Sequence, residues 1–216
     1  MKRSLDLFLS IISLIFLLPI FVITIPILLL TGEHKVFYLQ ERVGYRNTRF
    51  KIIKFATMVS NSPNIGTGSL TLKNDPRVLP FGRILRKTKI NELPQIFNVI
   101  VGDMSLVGPR PQMEVDFCKY SDEVQSKIYN VKPGITGIAS IIFRDEESIL
   151  TNSGYSDPHE FYKNVISPYK GEIELWYQNN YSLKLDLKII IVTILIVLFP
   201  NLNYTKFFSK LPKAPF

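Results

Sequence analysis

The chain carries one cysteine, two histidines and one tryptophan among 216 residues. A lone thiol, Cys118, allows no intrachain disulfide and suits a reducing compartment. It reads as a small buried residue rather than a nucleophile. His34 and His159 have no cysteine or histidine at ligand spacing, so neither is assigned to a metal or to catalysis. No internal repeat, RNA-binding signature or helix-turn-helix pattern is visible, and the basic residues therefore do not point to nucleic acid. Acidic residues are scarce in the front half. Residues 1–90 hold 14 Lys/Arg against 4 Asp/Glu, a balance of +10, whereas the rest of the chain balances at −2. That asymmetry suits anionic partners such as lipid headgroups or nucleotide diphosphates.

The length fits one domain with a sizeable core, and the 46% hydrophobic content is concentrated toward the ends. Residues 5–30 are almost continuously apolar, about 26 residues. A helix of that length reaches ~39 Å, whereas a bilayer core needs only ~20 residues. The run is too long for a signal peptide, and no small-x-small cleavage site follows it. Basic residues flank it on both sides, Lys2 and Arg3 before it and Lys35, Arg42, Arg46, Arg49, Lys51 and Lys54 after it. The positive-inside rule keeps both flanks cytoplasmic. Pro19 near the middle is placed to kink the helix back to its starting face. A re-entrant helix over 1–32 is expected; the alternative is a simple spanning anchor. A second apolar run, 185–199, is short for a span and contains Asp186 and Lys188. It is expected to lie in the interface or pack under the core, with the Lys206-Phe207-Phe208 tail (201–216) anchoring beside it.

Between these runs the pattern is α+β. Residues 36–58 alternate like a β-hairpin turning around Gly44-Tyr45-Arg46-Asn47. Residues 61–74, rich in Ser, Thr, Asn and Gly, read as a mobile loop. Asp75-Pro76-Arg77 turns into a basic helix through Arg83, Arg86 and Lys87. Residues 113–129 read as one amphipathic helix, and the turn at 132–137 feeds an apolar strand over 138–143. Asp145-Glu146-Glu147 reads as an acidic helix N-terminus in preference to a metal site. Asp157-Pro158 and Ser167-Pro168 each look like a capped helix start.

The most informative stretch is 86–111, RKTKINELPQIFNVIVGDMSLVGPRP. Leu93, Ile96, Phe97 and Ile100 follow the spacing of one helical face, with Pro94 in the first turn. The polar pair Asn91-Glu92 stands just ahead, where Asn91 is also a good N-cap and a helix N-terminus favours a phosphate or carboxylate. Arg110, between Pro109 and Pro111, has its fork aimed by fixed backbone, which suits a phosphate ligand.

This stretch resembles the core signature of the bacterial sugar transferases, the monotopic phosphoglycosyl transferases, (D)ELPQ-x-x-NV-x-x-G(D/E)MS-x-VGPRP. The resemblance runs from residue 2 to about 193. The hairpin is similar to the family's Q-E-R-x-G and YKFRSM segments, keeping Gln40-Glu41-Arg42 and Lys54-Phe55 but placing Ala56 where Arg is usual. It implies a cytoplasmic catalytic domain over 33–200 lying on the bacterial inner membrane. It also implies a UDP-sugar donor, undecaprenyl phosphate as acceptor and Mg²⁺ held by Glu92. Lys54, Arg77, Arg110 and Arg144 become phosphate-binding candidates, and Gln95, Asp103, Pro109 and Pro111 supporting ones. A homodimer is left open.

One position departs. In the family an Asp attacks the β-phosphate and UMP leaves; this chain has Asn91 there. A carboxylate is a competent covalent nucleophile and an amide is not. Four readings stay open: Glu92 attacks instead, the lipid phosphate attacks directly, the residue is an engineered Asp→Asn change, or the chain is a silent relative that binds UDP-sugar as a membrane scaffold.

Overall fold

The computed structural model describes residues 1–68, 70–208 and 210–215. Helix α1 (Lys2–Leu30) runs unbroken through Pro19 and Pro26. Its buried positions are Asp6, Ser10, Phe21, Thr24 and Leu28, with none between 11 and 20. Both ends are tied to the same body of protein. At the start, Lys2 Nζ donates to Val107 O at 2.8 Å and to Asp186 at 2.7 Å. Arg3 donates to Val99 O and Ile100 O. Asp6 accepts from Ser105 Oγ at 2.8 Å and from the Leu106 N–H at 3.1 Å. Toward the other end Phe21 and Leu28 pack with Phe55 and Leu85, and Glu33 accepts from the Ser60 N–H at 2.8 Å.

The hairpin forms as its alternation dictates. Strand β1 (Phe37–Val43) pairs antiparallel with β2 (Arg49–Phe55), Tyr38 facing Lys54 and Gln40 facing Ile52. Arg46 and Asn47 turn the chain with φ of 53° and 58°. Loop 56–79 then leads to α2 (Pro80–Lys87), and Lys89 at φ 61° redirects the chain into a 3₁₀ turn at Ile90–Glu92.

Helix α3 (Gln95–Val101) begins after Pro94. Its buried residues are Gln95, Ile96, Asn98 and Val99, rotated from the expected stripe. Asn98 explains the rotation. Its amide donates to Lys51 O at 2.8 Å and accepts from the Ile53 N–H at 3.0 Å, acting as a rung on the free edge of β2.

Strand β3 (Ser105–Val107) is followed by α4 (Glu114–Phe117) and α5 (Asp122–Lys127). The single helix expected over 113–129 is thus two, because Ser121 starts a new one by accepting from the Val124 N–H at 3.4 Å. Strand β4 (Gly134–Thr136) pairs parallel with β3. At this crossing a Cβ on Gly108 would stand 2.3 Å from Lys132 O, so only glycine fits.

The strand expected over 138–143 is a helix, α6 (Ile138–Ile142). Ile138, Ala139, Ile141 and Ile142 are all buried, and an apolar run buried on every side looks alike in either conformation. Helix α7 (Glu146–Thr151) has the acidic first turn read from the sequence. Helix α8 (Pro158–Phe161) starts at Asp157, which accepts from the His159 N–H at 2.8 Å.

Ser167-Pro168 starts no separate helix. The chain passes from α8 through a π-turn at Tyr162–Ile166 into α9 (Ser167–Asn179). The wider turn accommodates the proline's missing N–H inside a continuous helix. Helix α10 (Leu183–Leu198), capped by Ser182, buries Ile189, Val192 and Ile196. It exposes Leu187, Ile191, Ile194, Val197 and Leu198. The main core joins α6, α9 and α10. Phe208 of the C-terminal segment packs into it, against Trp176.

Candidate functional site

A cavity of ≈ 830 Å³ lies where the hairpin, the 3₁₀ turn, the 108–112 segment and helices α6, α7 and α9 meet. That is the size of a pocket for a nucleotide-sized ligand. Period-two alternation puts Tyr38, Gln40 and Arg42 on one face of the hairpin, and the register adds Lys54 to it. All four line the cavity, with Lys89, Asn91, Glu92 and Arg110.

Arg110 is aimed by its backbone. Its N–H donates to Glu174 Oε1 at 3.1 Å, and its carbonyl accepts from the Tyr129 hydroxyl at 2.9 Å. Its guanidinium forks onto Glu92, 2.8 Å to Oε1 and 3.3 Å to Oε2. Burial opposes ionisation of Glu92, but Arg110, Lys54 and Lys89 hold its carboxyl well below the usual range. In return Glu92 raises Arg110 above its ordinary value.

The remaining cations are under strain. Arg42 donates to Pro111 O at 3.2 Å and to Gln40 Oε1 at 2.5 Å, yet its Nε is buried without a partner among the described residues. Burial, then Arg110, pushes Arg42 down to about 10. Burial, then Arg42, drives Lys54 well below the ordinary lysine value. Burial lowers Lys89 as well. Among the described residues Arg42, Lys54 and Lys89 form no ion pair, whereas Arg86 pairs with Glu147 at 2.5 Å and Lys170 with Glu146 at 2.7 Å. A pocket of under-neutralised cations is built to receive a multiply charged anion.

Asn91 is 6% exposed and its Oδ1 is buried with no hydrogen-bond partner among the described residues. It does not cap α3, whose N-cap position is Pro94. Arg144, after α6, also lines the cavity and donates to Ile196 O of α10.

Arg77 also lines the cavity, but its donors are engaged by its own loop. It is 4% exposed, and its Nε and Nη2 bind Asp75 at 2.9 and 2.6 Å. Its other donors go to Ser62 O, Ile65 O, Gly68 O, Thr67 Oγ1 and Leu70 O. The loop expected to be mobile is thus gathered around one guanidinium, and that group has no donor left for a phosphate. Arg77→Lys is expected to cost about 3 kcal/mol and lower the thermal midpoint by roughly 6–12 °C, read by scanning calorimetry. Unchanged stability with lost nucleotide affinity would return Arg77 to the phosphate site.

Among the supporting candidates, Pro109 and Pro111 fix the Arg110 segment, their carbonyls accepting from the Gly134 N–H at 2.9 Å and from Arg42. Gln95 is buried on α3. Asp103 is exposed beyond α3, near Asn98, and does not line the cavity. Reading the sequence missed Lys89 and Glu174 and gave Arg42 no role of its own. The hairpin alternation that pairs Tyr38 with Lys54 was the available signal for Arg42. Glu174 left none.

The family model described as bacterial sugar transferase matches residues 1–200. Over 195 residues the chain is 37% identical to the uncharacterized sugar transferase EpsL of Bacillus subtilis, covering 90% of this chain and 85% of that protein. Two longer relatives are similar across nearly the whole of this chain. One is the UDP-N-acetylgalactosamine-undecaprenyl-phosphate N-acetylgalactosaminephosphotransferase of Aeromonas hydrophila, at 34% identity over 91% of this chain. The other is the UDP-galactose-lipid carrier transferase of Erwinia amylovora, at 36% over 92%. The chain spans 43% and 40% of those two proteins.

Proposed function

The chain belongs to the bacterial sugar transferase family, and on that footing we propose that it moves a sugar 1-phosphate from a UDP-sugar to undecaprenyl phosphate. The products are UMP and a polyprenyl-diphosphate sugar, at the first membrane step of glycan synthesis. One observation carries this reading: Arg42, Lys54, Lys89 and Arg110 converge on one cavity with Glu92 as the carboxylate they share. The diphosphate supplies the charge those cations lack, and they stabilise the charge that builds on the phosphoryl oxygens as the bond to UMP breaks.

Magnesium fits as a guest of the substrate. No group of three or more His, Cys, Asp or Glu able to hold a metal gathers among the described residues. Glu92 and the unpartnered Asn91 Oδ1 are oxygen donors of the hard type Mg²⁺ takes, alongside phosphates and water. Bound there, the ion would neutralise diphosphate charge.

Residues 1–32 form the membrane element, 33–200 the catalytic domain on the cytoplasmic face of the inner membrane, and 201–216 the tail. Helix α1 is long and apolar enough to cross a bilayer. The re-entrant reading is supported by its two tethered ends and by an unburied middle that contains Pro19. The exposed apolar face of α10 suits the same membrane surface.

Detergent-solubilised protein with Mg²⁺, undecaprenyl phosphate and a panel of UDP-sugars is expected to release UMP from at least one of them. Cys118, expected to be buried, is exposed; with it replaced by Ser, cysteines placed at Ser4 and Ser60 are expected to react with an impermeant thiol reagent from the same side of the membrane. Labelling from opposite sides, or failure of every UDP-sugar to bind, overturns the reading. Asn91 favours a second one, in which the chain binds UDP-sugar and holds it without transfer; binding with no UMP release would select it.

A further inference from the structure

Behind Arg110 lies a carboxyl that phosphate binding does not use. Glu174 sits in α9, 1% exposed. Its Oε1 accepts the Arg110 N–H, and its Oε2 is buried with no partner among the described residues. The groups facing it are few. On its own helix are Lys170, one turn back, and Tyr177, whose hydroxyl donates to Asp186 at 2.7 Å. Lys170 is committed to Glu146 and lies over the rings of Phe143 and Tyr162. Tyr120 and Tyr129 approach from either side of α5, both raised by burial and so neutral. Arg110 completes the surroundings. An ionised Glu174 would be a buried charge whose cationic neighbours are both already paired, Lys170 with Glu146 and the Arg110 guanidinium with Glu92. Burial pushes the Glu174 carboxyl up to about 8, so it is protonated at neutral pH.

We propose that Glu174 is a positioning residue that acts as a neutral acid, holding the Arg110 backbone so that its guanidinium meets Glu92 and the bound diphosphate. Loss of its proton creates a rival carboxylate that draws Arg110 away. The inference rests on the reading of the cavity as a nucleoside diphosphate site. A charge held by its other neighbours needs no such arrangement, and a merely structural glutamate would impose no pH dependence on binding.

The test is UDP binding by the full-length protein in detergent, titrated from about pH 7 to about pH 9.5. The wild type is expected to lose about tenfold or more in affinity over that range, and Glu174→Gln less than about threefold. Glu174→Leu, which removes the acceptor for the Arg110 N–H, is expected to bind UDP weakly at every pH, with Gln restoring it. The unfolding midpoint gives a second readout free of ligand. A carboxyl whose folded value is raised loses stability as pH climbs from its unfolded value of 4.5 to about 8. Wild type is expected to show that fall and Gln to lack it. Equal alkaline limbs in wild type and Gln overturn the proposal and assign the limb to Lys54 or Lys89. No UDP binding at pH 7 in either protein overturns the site reading itself, and this inference with it.

Discussion

Replacing Asn91 with Asp is expected to raise UMP release by at least about four orders of magnitude. Loss of an enzyme's nucleophile costs up to ~10⁶ in kcat, so restoring one recovers a comparable factor. The site is prepared for the change. Asn91 Oδ1 is buried, without a partner, in a cavity it shares with Glu92, Lys54, Lys89 and Arg110. A carboxylate there would offset the burial, and the lesser mutual repulsion, that depress Lys54 and Arg42. It would also be well placed to bond to the β-phosphorus as the bridging oxygen departs with UMP. Initial rates of UMP release and the mass of the protein after incubation with UDP-sugar together check this. A phosphosugar adduct on residue 91 should appear only in the variant. Equal rates in both proteins would mean that phosphoryl transfer does not pass through this position at all.

Glu92→Gln is expected to remove any remaining turnover, by about 10³ or more, since it strips from the cation cluster the carboxylate that Arg110, Lys54 and Lys89 act on. Arg110 loses a two-pronged partner at 2.8 and 3.3 Å, and losing a partly buried charged hydrogen bond of this kind costs about 1.5–3 kcal/mol. The two effects separate by pH. Glu92 has its folded value depressed, so its contribution to stability is present above its ordinary value of 4.5 and is lost as pH falls toward the depressed one. Wild type should therefore lose stability on acidification through that window, and the Gln variant should have lost that share already. A Gln variant with unchanged UMP release removes Glu92 from the chemistry, whatever its stability.

Much of this molecule is legible where a local rule acts alone. The hairpin follows from alternation and from an Asn that tolerates positive φ, and α10 from a long apolar period capped by serine. The acidic turn of α7 and the Asp157 cap follow from the macrodipole and the orphan N–H groups of a helix start. Legibility ends where distant segments decide. Ile138 to Ile142 are apolar at every position but Ser140, so nothing in their order distinguishes a helix packed on α9 and α10 from a central strand. Arg77 and Arg110 are both arginines beside proline. Both line the cavity, and only tertiary structure separates the one that gathers its own loop from the one that forks onto Glu92. Nothing in the sequence marks Glu174 until the 108–112 segment is laid against it.

The tethering of α1 has a mechanical consequence. A helix pinned near both ends to one folded body cannot straighten across a bilayer without breaking the contacts of Lys2, Arg3 and Asp6 or those of Leu28 and Glu33. Entering the bilayer from one face, as proposed, it would displace acyl chains from one monolayer and leave the other untouched. On that reading every copy would widen the cytoplasmic sheet of lipid relative to the other one. Crowded together, such molecules would bend the membrane toward the cytosol and gather where it already curves that way.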